Sequence, residues 1–236
     1  MEKFGIFETV RVENGKAVFI SYHYERLRKS AVSLDIPFSI SLEKFNSVVE
    51  KECGDGLNLV KFVLYHDGNF TVSTRECFVP KEVSLTFDFS VRRKKDFLSD
   101  FKTLSIYDSL YALLKAKNKG FDEVVLLDTS GFVSETAFAN IFFLKNGVVF
   151  TPSLETGCLP GTRREIVIEI LKEMGVPVIE GFFKPEFLLS AEEAFITSAR
   201  YDVVRVSYID GKKFKVEGIS FTDRVKKVIE RLKFLK

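Results

Sequence analysis

Three tight-turn signatures set the limits on this fold. Glu13-Asn14-Gly15-Lys16, His66-Asp67-Gly68-Asn69 and Lys145-Asn146-Gly147 each stand between two β-rich apolar runs. Asn and Gly tolerate positive φ, so each turn folds its flanking runs into an antiparallel hairpin. The spacing pairs residues 6–12 with 17–21, 58–65 with 69–76, and 139–144 with 148–151. Helical periodicity falls elsewhere: Tyr22–Leu34, Ser41–Cys53, Ser99–Asn118 before Gly120, Arg163–Met174, and 223–235. In the second of these, Leu42, Phe45, Val48 and Val49 share one face, and Thr162 and Glu165 have capping-box spacing ahead of the fourth. Val83, Leu85, Phe87, Phe89 and Val91 alternate as a half-buried strand does, and further strands are expected at Val124–Leu127, 194–198 and 203–209.

No internal repeat of fixed period is present. Strands and helices in two unequal groups predict an α+β chain of two domains. The boundaries read from the sequence are a smaller N-terminal α/β domain at 1–92, a linker at 93–99, and a larger C-terminal domain at 100–236.

Composition excludes several functions. The 236 residues are 46% hydrophobic with a net charge of +2, acids and bases being interleaved, so neither a nucleic acid nor a membrane surface is indicated as a partner. The basic run Arg92-Arg93-Lys94-Lys95 reads as a solvated linker. Cys53, Cys77 and Cys158 have no CxxC spacing, so no zinc site or disulfide framework follows, and a reduced cytoplasm is the expected location. The N-terminus lacks the apolar core of a secretion signal, and no apolar run approaches the length of a membrane span.

Four features can carry chemistry. Lys102, in Asp100-Phe101-Lys102-Thr103-Leu104, falls at the expected start of a helix, whose positive end disfavours the ammonium form and helps expose a nucleophilic amine. Gly161-Thr162 opens another helix and can cradle a phosphate. Thr197-Ser198-Ala199, at a strand end, lets backbone amides approach an anion. Glu135, in Val133-Ser134-Glu135-Thr136, can pair with a ring nitrogen or a metal. Each also fits an ordinary role, as a solvated lysine, a capped helix, a tight bend and an exposed glutamate.

Taken in order, these segments resemble the class IV aminotransferase family over nearly the whole chain. The resemblance rests on Phe4 to Gly15, His23-Tyr24-Glu25-Arg26-Leu27, Lys102-Thr103-Leu104-Ser105, Val133 to Phe142, and Gly157-Cys158-Leu159-Pro160-Gly161-Thr162-Arg163-Arg164. It implies the two-domain fold type IV of pyridoxal-phosphate enzymes, which is D-amino-acid-aminotransferase-like, and a homodimer acting on a small molecule. Lys102 would carry pyridoxal 5'-phosphate covalently. Arg26 would bind its phosphate with Gly161, Thr162, Arg163, Ser198 and Ala199, and Glu135 would meet its ring nitrogen. Ser105 replaces the usual Asn, Thr162-Arg163 replaces Ile-Thr-Arg after Gly161, and a hydroxyl usual near Ala199 is missing, which leaves that contact to backbone amides.

Glu135-Thr136 through Ala139-Asn140-Ile141, and Gly157 through Gly161, are closer to the family's lyases than to its transaminases. The implied reaction is therefore conversion of 4-amino-4-deoxychorismate to 4-aminobenzoate and pyruvate, a step toward folate. The alternative is transamination of branched-chain or D-amino acids, which would use the same Lys102 and Glu135.

Overall fold

The computed structural model describes residues 4–51, 53–215 and 218–234. The chain packs as two compact units. One holds the described residues up to Phe78, then Phe101–Ser105 and those from Glu230 onward; the other holds Val79–Asp100 and Ile106–Ile229.

In the first unit, β1 (Gly5–Glu13), β2 (Lys16–Ala17), β3 (Leu57–Tyr65) and β4 (Phe70–Glu76) form an antiparallel sheet in the order β2-β1-β3-β4. Asn14 and Gly15 take φ of 49° and 75°, as the turn signature requires. The second arm of that hairpin is shorter than expected. Phe19 adopts left-handed backbone at φ 54°, which ends the extended run and starts helix α1 (Ile20–Ser33). Helix α2 (Leu42–Lys51) follows. Leu27 and Ala31 of α1, and Phe45 and Val49 of α2, recur at helical spacing and bury against Val10, Val12, Val60, Phe62 and Leu64 of the sheet. Each large apolar side chain so buried contributes roughly 1.5–3 kcal/mol.

The second unit holds the larger sheet. Its strands are β5 (Glu82–Arg93), β6 (Glu123–Asp128), β7 (Val133–Thr136), β8 (Asn140–Lys145), β9 (Val148–Pro152), β10 (Val178–Gly181), β11 (Glu193–Ser198), β12 (Asp202–Ile209) and β13 (Lys212–Lys213). They run in the order β10-β9-β8-β11-β12-β5-β6-β7, with β13 on β12. The helices are α3 (Tyr107–Asn118), α4 (Thr162–Glu173), α5 (Pro185–Leu189) and α6 (Phe221–Leu232). Strand β6 is buried on both faces: Val125 and Leu127 enter one core with Leu85 and Ile141, while Val124 and Leu126 pack on Ala112 and Ala116 of α3.

The domain boundaries expected at 92 and 100 require correction. Strand β5 lies between β12 and β6 and pairs in parallel with both, so its ladder partners are all C-terminal. The segment around Lys102 belongs instead with β1, through an antiparallel bridge between Ile6 and Thr103. No described helix is long and apolar enough to cross a membrane. Among the described residues the three cysteines form no disulfide and no metal-binding cluster occurs.

Candidate active site

Lys102 lies in an extended segment, not at a helix start. Its carbonyl accepts from Phe7 N at 2.8 Å, and Leu104 N donates to Gly5 O at 3.0 Å. These backbone groups are committed to β1, so residues 102–104 cannot enter a helix, and α3 begins only at Tyr107. The helix-end argument for its amine therefore does not apply. The ammonium stands 4.6 Å from the centroid of the Phe7 ring, and Lys61 of β3 approaches the same ring at 4.4 Å. One aromatic face-partner thus gathers two cations.

Arg26 is on α1, three residues after His23, so both reach the same side of the helix. They converge on Glu8 of β1. Arg26 Nε and Nη2 each donate to one Glu8 oxygen at 2.7 Å, and His23 Nδ1 lies 2.7 Å from Oε2. Burial pushes the Glu8 carboxyl up, but Arg26 and His23 outweigh it and hold it down at about 2. A fork-to-fork pair of this kind fixes the guanidinium in orientation.

In the second unit, Glu135 is on β7 and is only 8% exposed, which excludes the exposed-glutamate role. Its Oε2 accepts from Leu159 N at 3.1 Å, and its Oε1 pairs with Arg93 Nε at 2.8 Å. Arg93 also donates to Ser109 Oγ at 2.6 Å. The basic run read as a solvated linker thus contains a half-buried partner of the key acid. Nothing local to that run signals it, because its partner lies 42 residues on.

Gly161 is the N-cap of α4, and no side chain caps that helix. Thr162 is the first helical residue, so the capping box expected with Glu165 does not form; Glu165 N instead donates to Gly161 O at 3.0 Å. The first N–H groups of a helix have no partner within it, and together with the helix dipole they favour an anion. A Cβ at Gly161 would stand 2.0 Å from Asn140 Oδ1, so any side chain there must displace Asn140.

Arg163 does not present its side chain to solvent. It is 1% exposed, and its Nε donates to Asp202 Oδ1 at 2.8 Å. That buried pair joins the start of α4 to the first residue of β12, just after the turn that follows Ser198, the last residue of β11, and begins with Ala199. Thr197 Oγ1 closes the loop by donating to Asp202 O at 2.5 Å. The Ser198 hydroxyl is buried and has no hydrogen-bond partner among the described residues. Sequence reasoning missed Glu8, Arg93 and Asp202.

The sheet arrangement and these side chains can be set beside known proteins. The Amino-transferase class IV family model matches residues 5–209. The chain therefore belongs to the class IV aminotransferase family, whose members are pyridoxal-phosphate-dependent enzymes acting on small molecules. It is 31% identical to a Methanocaldococcus jannaschii protein provisionally named a branched-chain-amino-acid aminotransferase, over 97% of this chain and 86% of that one. It is 28% identical to the aminodeoxychorismate lyase of Bacillus subtilis, over 87% and 78% of the two chains. A solved structure from Legionella pneumophila, provisionally titled a 4-amino-4-deoxychorismate lyase, superposes with a TM-score of 0.88 at 25% identity, covering 96% and 90%. Relatives thus carry the names of both reactions. The fold is type IV, as the sequence motifs imply.

The residues present fit a pyridine phosphate. An uncapped helix start and the unpartnered Ser198 hydroxyl match a phosphate's acceptor oxygens. A buried carboxylate that accepts from one amide and is ion-paired with one guanidinium matches a protonated ring nitrogen.

Proposed function

We propose that this chain is a 4-amino-4-deoxychorismate lyase. In this reading Lys102 carries pyridoxal phosphate. The phosphate is held by Arg26, by the amides of Gly161, Thr162 and Arg163, and by Ser198 and the backbone of Ala199. When bound, the cofactor supplies an aldehyde that takes the substrate's amine and a ring that draws electrons from the carbon bearing it. The Lys102 amine takes the proton from that carbon. Glu135 holds a proton on the ring nitrogen by a charge-assisted hydrogen bond, and Arg93 and Leu159 N keep its carboxylate oriented for this. The bond from the substrate ring to the enolpyruvyl oxygen then breaks with its electron pair going to oxygen, the ring becomes aromatic, and the departing enolpyruvate takes up a proton at its methylene carbon to become pyruvate.

The observation that carries the lyase over a transaminase is the pair of lysines on Phe7. Aminodeoxychorismate bears two carboxylates, whereas a branched-chain amino acid bears one carboxylate and an apolar side chain. Lys61 beside Lys102 suits the former, since a lysine is a compact charge for a carboxylate. The full-length similarity to the M. jannaschii protein favours the second reading, a transaminase. Incubating the purified protein with aminodeoxychorismate, and separately with an amino donor and a keto acid, decides between them. The lyase reading requires equal release of 4-aminobenzoate and pyruvate, and a KM that rises several-fold in Lys61→Met. Transamination without that release would overturn it.

We also propose a homodimer through α3. Tyr107, Leu110, Tyr111 and Leu114 recur at helical spacing on its outer side and remain 75%, 41%, 47% and 51% exposed. An apolar stripe of this size on a helix suits a self-complementary interface.

A further inference from the structure

Strand β5 does not run evenly along β6. Asp88 stands opposite Leu126, yet Arg92 stands opposite the very next residue, Leu127, and Arg93 opposite Asp128. Phe89, Ser90 and Val91 are thus looped out in a bulge. In an even strand, Asp88 and Arg93 would face opposite sides of the sheet, being an odd number of residues apart. Across the bulge they are only two ladder steps apart, so they share a face. It is the face that α3 covers: Lys115 reaches Asp88 at one end of the bulge, and Ser109 meets Arg93 at the other. Glu135 of β7 is the register partner of Leu126, so it lies on this face too.

One carboxylate closes the bulge. Asp88 is only 6% exposed. Its Oδ1 accepts from Ser90 N and Ser90 Oγ at 2.6 Å and from Val91 N at 2.9 Å. Its Oδ2 accepts from Lys115 Nζ at 2.7 Å, and Lys115 also donates to Ser90 Oγ at 2.8 Å. The amides that leave the ladder in the bulge therefore find their acceptor in Asp88. Past the bulge, Thr129 N donates to Arg93 O at 3.1 Å. The buried Arg93 Nε then stands 2.8 Å from Glu135 Oε1 as an ion pair.

We infer that Asp88 and Lys115 are positioning residues: by closing the bulge against α3 they deliver Arg93 to the face of Glu135 and so hold that acid in its orientation. A register without the bulge turns Arg93 to the opposite side of the sheet, away from both Ser109 and Glu135. The consequence for the cofactor rests on Glu135 being the acid on the ring nitrogen; the consequence for Arg93 does not.

Asp88→Asn tests this in the full chain. A carboxamide has one acceptor oxygen, so it can serve the bulge amides or Lys115 but not both. Exchange of the Arg93 Nε proton with solvent is followed by nitrogen-15 NMR of the cofactor-free protein and assigned by its loss in Arg93→Met. It should quicken by roughly two- to tenfold, the weight of one hydrogen bond, and by a smaller factor in Lys115→Met, which leaves the bulge amides their acceptor. Pyridoxal phosphate affinity, read by absorbance titration, should fall by a similar factor where Arg93 is present and stay level in the Arg93→Met background. A folded Asp88→Asn protein whose Arg93 proton exchanges as in the wild type overturns the inference. An equal loss of affinity with and without Arg93 also overturns it, since a purely structural role for Asp88 gives that result. Should Asp88→Asn not fold, Lys115→Met carries both measurements under the same two criteria. Failure of the Glu135 reading is seen separately, as unchanged affinity in Arg93→Met together with unchanged turnover in Glu135→Gln, while the Arg93 proton still reports on Asp88.

Discussion

Replacing Gly161 by alanine tests the turn that joins two parts of the site. Gly161 has φ −71° and ψ 136°, which alanine adopts without strain. Removing a glycine from the unfolded chain would alone stabilise by about 0.4–1 kcal/mol. The added Cβ, however, would stand 2.0 Å from Oδ1 and 3.2 Å from Cγ of Asn140. Asn140 is buried, and its Nδ2 donates to Leu159 O at 2.9 Å. The side chain must move, that bond is lost, and a buried carbonyl and amide fall short of partners at about 1–3 kcal/mol. The loss exceeds the gain. Net destabilisation should be about 1–2 kcal/mol, or roughly 2–8 °C in melting temperature for a chain of this size. Leu159 N also holds Glu135, so cofactor affinity should fall with it. Calorimetry of the cofactor-free variant and an absorbance titration with pyridoxal phosphate read both effects. A variant that melts at or above the wild type and binds cofactor equally refutes the reasoning.

Arg26→Ala should weaken the fold as well as cofactor binding, because it leaves the buried Glu8 carboxylate with His23 alone; removing one partner of such a pair costs about 3–5 kcal/mol. The urea midpoint should fall, and the double variant with Glu8→Gln should regain part of it; an unchanged midpoint contradicts the pairing. Leu114→Glu should shift sedimentation of the protein from dimer toward monomer, and a wild type that is monomeric at all concentrations refutes the α3 interface.

The local code carried most of the elements. Asn-Gly turns, the shared face of Leu42, Phe45, Val48 and Val49, and the alternation from Val83 placed most strands and helices within a few residues, the helix before Gly120 excepted. Long-range pairing was not legible. Alternation shows that residues 83–91 form a strand but not that its partners are β6 and β12. Lys102 shows the same limit, since its segment is held extended by Phe7 and Gly5, nearly a hundred residues upstream, and local propensity read it as helix. The side chains that chemistry needs were found from their motifs. Their partners Glu8, Arg93 and Asp202 were not, because a charge pair across 18, 42 or 39 residues leaves no periodic trace. Arg163 illustrates the consequence: a motif arginine next to a phosphate cradle is turned inward as a clasp on Asp202.

Covalent attachment at Lys102 is the claim on which the account turns. Borohydride reduction of the protein loaded with pyridoxal phosphate, followed by peptide mapping, should place a single pyridoxyl group on Lys102 and none on the Lys102→Ala variant. A label on Lys61, Lys94, Lys95 or Lys115, or equal labelling of the variant, would contradict it.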